Sequence, residues 1–396
     1  MINEGPLKDL RILDFTRVLA GPYMTRILGD LGAEVIKVQS KKTAKGSESD
    51  ESAYFKTWNR NKRSISLDMD YREARDVILN LAGLCDVVVE NFSPRVMANW
   101  GLIYETLSKV KPDIIMLSMS AMGQTGPWRD HVGYGQTMQA LSGMTYMTSW
   151  DERSPSGLGQ AYADVISGLY GVVAVLAALE YRDRYGSGQH IDLSEHEAMC
   201  SLMGPALLDA SCNQRGLVPT GNSAEDEPAA PYGCYRCFGE ERWCVIAVYS
   251  ERQWQTLCHI LGDPSWAEEE RFSTLPLRKQ NEKELDTLLG RWTAGRRAEE
   301  LVKTLQESGI PAGVVQNAHD LATDPQLAAR GFFVNLEHPL KGTTMTDNLP
   351  IKSTDTSSDH WKPAPLLGED NRYVFLELLG FDKTQLNDYV TRGIIG

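Results

Sequence analysis

One acidic side chain, Asp164, stands in the run Gly159-Gln-Ala-Tyr-Ala-Asp164-Val-Ile-Ser-Gly168-Leu-Tyr-Gly171, which continues as an apolar helix through Leu179. A carboxylate at the mouth of an apolar helix is costly to desolvate unless it is paired or belongs to a site. The helical period sets Gly168 and Gly171 on roughly its face, one and two turns on, leaving room where a ligand could approach. A carboxylate held in this way can act as a nucleophile through a covalent acyl intermediate. The plainer alternative is a first-turn aspartate that meets the positive end of the helix dipole.

The elements that would position this residue alternate regularly. Leu10–Phe15 reads as a short buried strand and Gly21-Pro22 as a break before a helix over Tyr23–Leu31. Gly32–Val38, Asp86–Glu90 and Asp113–Ser118 read as further strands, with helices over Arg72–Leu84 and Pro94–Val110 between them. This pattern predicts an α/β fold with a doubly wound parallel sheet, whose ligands sit beyond the carboxyl ends of the strands. The polar stretches Thr16-Arg17, Asn91-Phe92-Ser93 and Met119–Gly123 lie there. No GxGxxG or Walker motif follows a strand, which argues against nicotinamide or ATP chemistry.

A long helix over 162–182 ends at Gly186-Ser-Gly188, followed by the strand His190–Leu193 and a helix over 195–214. Residues 213–230 are polar, and a smaller α+β unit follows. It is read as a hairpin around Gly239–Arg242, helices near 251–261, 280–293 and 297–308, and a strand after Gly309. The expected organisation is a large domain over 1–215, a small domain over 228–325 and a return over 345–396, joined by linkers at 216–227 and 326–344. A last helix is expected over 371–380.

The net charge of −13 across 396 residues argues against a general nucleic-acid binder. Lys41, Lys42, Arg60, Lys62 and Arg63 are candidates for a local phosphate site, the alternative being a solvated basic face. No signal-peptide pattern opens the chain, and the apolar run near 169–179 is too short and too rich in Ala and Gly to span a bilayer, so a cytoplasmic enzyme without membrane partners is expected. Seven scattered cysteines suit a reducing compartment. Cys234-Tyr-Arg-Cys237 has half-site spacing, but no second pair completes four ligands. Its flanks read as strands, so no metal is expected.

Taken together, several motifs carry a resemblance. They are Leu13-Asp-Phe-Thr16 with Ala20-Gly21-Pro22, Leu31–Val38, Asn59–Ile65 with Leu67-Asp68, Asp86–Phe92, Gly123-Gln-Thr-Gly-Pro127 and Gln139–Gly143. Ala163-Asp164 with Gly168, Ala177–Arg182, Gly186–Gln189 and Pro365–Gly368 complete the set. In this order, over nearly the whole length, the chain resembles the class III CoA-transferases, a group that includes α-methylacyl-CoA racemase. The resemblance implies a ring-shaped chain, with a Rossmann-like large domain built from both ends, in an interlocked dimer. It implies coenzyme A thioesters as substrates and no permanently bound cofactor. Asp164 matches the family's nucleophile, and Val18, Ala20, Leu67, Asp68, Met69, Asn91, Phe92 and Tyr134 match positions that contact CoA. The chain departs from the pattern at Gln39, Ser40 and Asn99, where the family carries charge. Lys41, Lys42 and Arg95 are the substitutes expected to meet the CoA phosphates.

The implied cycle forms an anhydride on Asp164, then an aspartyl-CoA thioester, then the new acyl-CoA. The family's glycine-rich loop corresponds to Ala224–Ala230, which lacks those glycines, so oxalate is disfavoured as the acceptor. The racemases place a histidine where this chain has Tyr134, and His131 reads as a loop residue; α-proton transfer is therefore the alternative chemistry. The motif flavour, including Ala230–Cys237, is similar to the benzylsuccinate CoA-transferase branch. That likeness implies succinyl-CoA as donor, (R)-2-benzylsuccinate or a related dicarboxylate as acceptor, and a homodimer or a heteromer with a paralogous subunit. Tyr134, Tyr146, Trp150 and Tyr232 are the expected pocket aromatics. A non-catalytic CoA-binding partner would be expected to lack the aspartate that stands at 164.

Overall fold

In a computed structural model, residues 5–150, 154–216, 218–219, 221–223, 228–353 and 358–396 are described. They divide into two units. The first comprises residues up to Thr145, Gly157–Gly216 and Ala328–Gly396, and the second comprises Tyr146–Ser156 and Leu217–Leu327.

The first unit is built on β1 (Arg11–Asp14), α1 (Ala20–Asp30), β2 (Glu34–Gln39), α2 (Ala53–Asn59), β3 (Lys62–Ser66), α3 (Arg72–Ala82) and β4 (Val87–Glu90). It continues through α4 (Arg95–Asn99), α5 (Tyr104–Val110), β5 (Ile115–Ser120), α6 (Gly135–Leu141), the single turn α7 (Met144–Met147), whose last two residues belong to the second unit, α8 (Tyr162–Tyr185), β6 (Gln189–Ser194), α9 (Glu195–Ser201) and α10 (Gly204–Cys212). The six strands form one parallel sheet in the order β3-β2-β1-β4-β5-β6. Strands buried on both faces read as continuous apolar runs, as Val87-Val88-Val89 does. Leu13, Ile36, Val88 and Met116 pack against α3 on one face. Ile12, Val35, Val89 and Leu117 pack against α1 and α8 on the other. Strand order reverses between β1 and β4, and that crevice is where such sheets bind ligands.

The alternating strands and helices take the predicted order, with five differences. The expected helix over 94–110 is two, because Gly101 turns the chain at φ +67°. The expected helix over 195–214 is also two, restarting at Gly204-Pro205, where a proline fits a first turn. The basic stretch at 62–66 is an edge strand, β3, stitched by the returning chain: Ser64 N–H donates to Asp370 Oδ2 at 2.9 Å and Ser66 N–H to Asn371 Oδ1 at 2.9 Å. The return begins at Ala328 rather than 345, because 326–344 contributes to a β-hairpin (Phe333–His338 with Gly342–Asp347) instead of a linker. The expected last helix is a π-helical stretch, Tyr373–Leu378.

α8 also extends beyond the apolar run read from sequence. Its 24 residues are long and apolar enough to cross a membrane by length and composition, but Gly168, Gly171, Val172 and Val175 face the core.

In the second unit, the antiparallel strands Tyr232–Arg236, Trp243–Ala247 and Ala312–Val314 pack on helices Glu251–Leu261, Glu282–Thr293 and Ala298–Glu307 around Trp254, Phe272, Leu285 and Leu305. Cys237 and Cys244 are buried in this core and all seven cysteines are free thiols. Of the 216–227 segment, residues 217, 220 and 224–227 lie outside the described residues.

Candidate active site

Asp164 lies in the first turn of α8, 8% exposed. Two close helix contacts bring it there. A Cβ at Gly168 would lie 2.9 Å from the Ala20 carbonyl oxygen, and one at Gly171 would lie 2.7 Å from Met24 Sδ. The glycines therefore seat α8 against α1. The expectation that they clear space for a ligand is corrected, because the helix face they occupy is turned to the core.

The carboxylate meets backbone on a third side. A Cβ at Gly135 would fall 1.9 Å from Asp164 Oδ2, so only glycine fits at the start of α6. Among the described residues Asp164 forms no salt bridge, and Oδ2 has no hydrogen-bond partner. Burial pushes its pKa up to about 6, partly opposed by the backbone N–H groups of Asp164 itself and Ala20. The N-termini of α1 and α6 and its own helix start converge here, placing positive dipole ends around the group.

The cavity facing Asp164 has a volume of about 260 Å³. The loops after β1 and β4, at the reversal point of the sheet, supply Arg17, Val18, Asn91 and Phe92. The Asn91 side chain joins the two loops: its Oδ1 accepts from Arg17 N–H at 2.7 Å and its Nδ2 donates to the Arg17 carbonyl at 2.8 Å. Val18 adopts φ +66°, a strained conformation for a β-branched residue, and its N–H donates to Glu48 Oε1 at 3.0 Å. Ser120, Arg129, His131, Tyr134 and Glu195 complete the wall.

A second cavity of about 110 Å³ shares Arg17 and Phe92 with the first, and is lined also by Lys42, Leu67, Asp68, Met69 and Trp100. The structure thus gathers Val18, Asn91, Phe92, Tyr134 and Asp164 around one cavity and Lys42, Leu67, Asp68 and Met69 around its neighbour. Ala20 contributes backbone as the first residue of α1. Lys41 is exposed, a Cβ at the terminal Gly396 falling 3.1 Å from its Cε. Arg95 is exposed and 3.7 Å from Asp130. Tyr146, Trp150 and Tyr232 belong to the second unit, where Tyr232 lines a 580 Å³ cleft and its ring meets Tyr249 edge-on at 6.3 Å.

Three of the basic candidates prove structural. Lys62 is fully buried and donates to Asp14 Oδ2 at 3.0 Å, the Pro22 carbonyl and Asn59. Arg60 is held by Asp30 at 2.6 Å, and Arg63 by Glu34 and Asp370. Arg60 ends α2, while Lys62 and Arg63 are successive residues of β3 and point to opposite faces, so the three read as a charged cluster without forming one face.

Sequence reasoning left Arg17 and Glu195 out of the site. Arg17 lines both cavities, lies 5.2 Å over the Phe92 ring and makes no salt bridge among the described residues. Burial pulls its pKa below the usual arginine range, with Glu48 opposing. Glu195 is 7% exposed, and burial together with the Asp164 charge pushes its pKa up to about 8. His131, read as a loop residue, is one and also lines the Asp164 cavity, with its ring stacked on Trp128 at 5.9 Å.

An unpaired, buried carboxylate beside converging helix starts is equipped to attack an electrophilic carbonyl. Comparison with known proteins gives the same direction. A succinyl-CoA–D-citramalate CoA-transferase of Chloroflexus aurantiacus is 32% identical over 96% of both chains. A succinyl-CoA:glutarate CoA-transferase of Mus musculus is 31% identical over 98% of this chain and 90% of its own. The crystal structure of a CAIB/BAIF family protein from Brucella suis superposes with a TM-score of 0.87 at 31% identity, covering 95% of this chain and 100% of that one. The sequence pattern of CoA-transferase family III matches residues 7–371. The chain belongs to that family, and is a CoA-transferase that works on CoA thioesters.

Proposed function

We propose that this enzyme moves CoA from succinyl-CoA to a dicarboxylic acid by way of an anhydride and then a thioester on Asp164. The observation that carries the proposal is the Asp164 carboxylate: buried, without a cation, and with Oδ2 unpartnered against Gly135. The two CoA-transferase relatives named above are described as using succinyl-CoA with a dicarboxylate.

In the first step Oδ2 attacks the thioester carbonyl and the C–S bond breaks, giving the anhydride and CoA thiolate. The thiolate attacks the Asp164 carbonyl and releases the donor acid. The acceptor carboxylate attacks the resulting aspartyl thioester and its C–S bond breaks, giving a second anhydride and thiolate. The thiolate then attacks the acceptor's carbonyl, yielding the new acyl-CoA and releasing the Asp164 carboxylate. Each nucleophile is an anion and each step conserves charge, so a site of fixed dipoles shielded from water is the chemical requirement. Arg17 and Arg129 on the cavity wall suit a second carboxylate on donor or acceptor.

The finer form of the proposal takes (R)-2-benzylsuccinate as acceptor. Phe92 and Tyr134 on the cavity wall are compatible with an aromatic substituent. An interlocked dimer or heteromer is part of the same reading, supported by the exposed apolar strip Leu169, Val173 and Leu176 on α8.

The test is intact-protein mass spectrometry after incubation with succinyl-CoA, with hydroxylamine trapping, on wild type and Asp164→Ala. A CoA adduct or hydroxamate on Asp164, absent in the variant, is expected. Citramalate, glutarate and benzylsuccinate are then ranked by how fast each discharges the adduct. CoA transfer without any adduct sinks the covalent route. Loss of α-deuterium label without transfer would favour proton exchange through His131.

A further inference from the structure

Glu195 is the feature of the site that the covalent cycle leaves unused. It opens α9 directly after β6, and its placement is rigid. Ser194 Oγ accepts from Glu197 N–H at 3.2 Å, and His196 N–H donates to the Ala121 carbonyl at 2.9 Å. One turn on, Met199 packs with Ala163 and Met138, which fixes α9 against the start of α8. The side chain is buried, forms neither a salt bridge nor a hydrogen bond among the described residues, and lines the same cavity as Asp164. A glutamate serving only the helix dipole stays at the surface; Glu197, exposed in the same turn, already has that role.

We propose that Glu195 is the second acid of the site: it stays protonated while Asp164 is ionised, and its O–H donates a hydrogen bond to the acyl oxygen that gains charge when Asp164 attacks. The inference rests on the Asp164 reading above. In the step concerned, an Oδ2 lone pair forms the new C–O bond and the carbonyl π electrons move to oxygen. That oxyanion accepts the hydrogen bond while the proton stays on Glu195. The C=O then re-forms as the C–S pair leaves with sulfur, so the site begins and ends with one proton on Glu195.

Two carboxyl groups facing one small cavity with no cation paired to either cannot both ionise. Glu195 retains its proton up to about pH 8, above the value of about 6 for Asp164. The other titratable or charged groups lining this cavity are Arg17 after β1 and Arg129, His131 and Tyr134 before α6; on α9 itself, His196 and Glu197 line a separate cavity. Tyr54 of α2 also senses the Asp164 charge, its pKa being pushed up to about 12 mainly by burial.

The test is the pH profile of kcat and KM, with Asp164 adduct formation, for wild type, Glu195→Gln and Glu195→Leu. Circular dichroism confirms that each variant is folded. Wild-type kcat is expected to fall tenfold per pH unit above about pH 8 as Glu195 ionises. Glu195→Gln keeps a donor that cannot ionise, so it retains kcat within about tenfold and loses that alkaline limb. Glu195→Leu has neither charge nor donor. Its kcat is expected to fall roughly 10- to 100-fold with KM little changed, the signature of a donor used in the transition state. An unchanged alkaline limb in Glu195→Gln, or a Glu195→Leu enzyme as fast as wild type, overturns the assignment while adducts on Asp164 leave the nucleophile intact. A wild-type enzyme that transfers CoA with no Asp164 adduct overturns both.

Discussion

Two buried aspartates lie at α1, and they have opposite surroundings. Asp14, at the end of β1, is fully buried and accepts hydrogen bonds from Thr16, Thr25 and Lys62. Burial alone would raise its pKa, but Lys62 and Lys37 and the two hydroxyls hold it at about 2. Asp164, beside the first residue of the same helix, has no cation, and its pKa is pushed up to about 6. The first arrangement is that of a charge fixed in place. The second leaves a carboxylate raised in energy and in reach of a cavity. The comparison separates structure from chemistry better than burial does, because burial is nearly the same at the two sites.

The largest expected effect comes from breaking the paired side. Asp14→Asn takes the counter-charge from buried Lys62, whose pKa burial already lowers to about 7; removing one member of a buried pair costs about 3–5 kcal/mol. Chemical denaturation should show that loss. A drop below about 1 kcal/mol would mean the Pro22 carbonyl and Asn59 suffice for Lys62, and the contrast with Asp164 would weaken.

The unpaired side should respond with the opposite sign. The folded Asp164 carboxyl titrates near 6 against an ordinary value of 3.8. Between those pH values the native state binds more protons than the unfolded chain, so this group's contribution to stability is lost as pH rises from about 4 to 6. Asp14 behaves in reverse: its contribution is complete above 3.8 and is lost as pH falls towards 2. Asp164→Asn should therefore stabilise the protein at pH 7, by about 1–2 kcal/mol, while abolishing adduct formation. Thermal melts at pH 4.5 and pH 7 check this; a gain that is no larger at pH 7 contradicts the assigned ionisation.

These residues also show what the sequence made legible. Asp164 stood out because a single acidic residue in an apolar helical run is rare enough to need a reason. The loops after β1 and β4 were placed by the rule that ligands sit at the carboxyl ends of parallel strands. Glu195 follows β6 at that same edge and could have been found by the same rule, but a glutamate in the first turn of a helix has an ordinary explanation. Lys62 was misassigned because a buried, paired lysine and a solvated one are the same letter. Only the distant Asp14, brought alongside by sheet pairing, tells them apart.

The last and smallest expected effect tests the packing that sets the comparison up. Gly168 and Gly171 both face α1, but against different atoms. A Cβ at 168 meets the Ala20 carbonyl at 2.9 Å, which is backbone, whereas one at 171 meets Met24 Sδ at 2.7 Å and Met119 Cε at 3.0 Å, both ends of flexible side chains. Alanine raises helix propensity by up to about 1 kcal/mol at either position, and overpacking costs about 1–3 kcal/mol where the neighbour cannot yield. Gly171→Ala should therefore be close to neutral in stability and activity. Gly168→Ala should lose about 1–2 kcal/mol and shift the start of α8 away from the N-terminus of α1. Asp164 lies one turn from that contact, so kcat should fall about tenfold while KM changes little. If the two variants behave alike in melting temperature and kcat, the close approach at Ala20 is not what positions the nucleophile, and the loop carrying Gly135 must hold it instead.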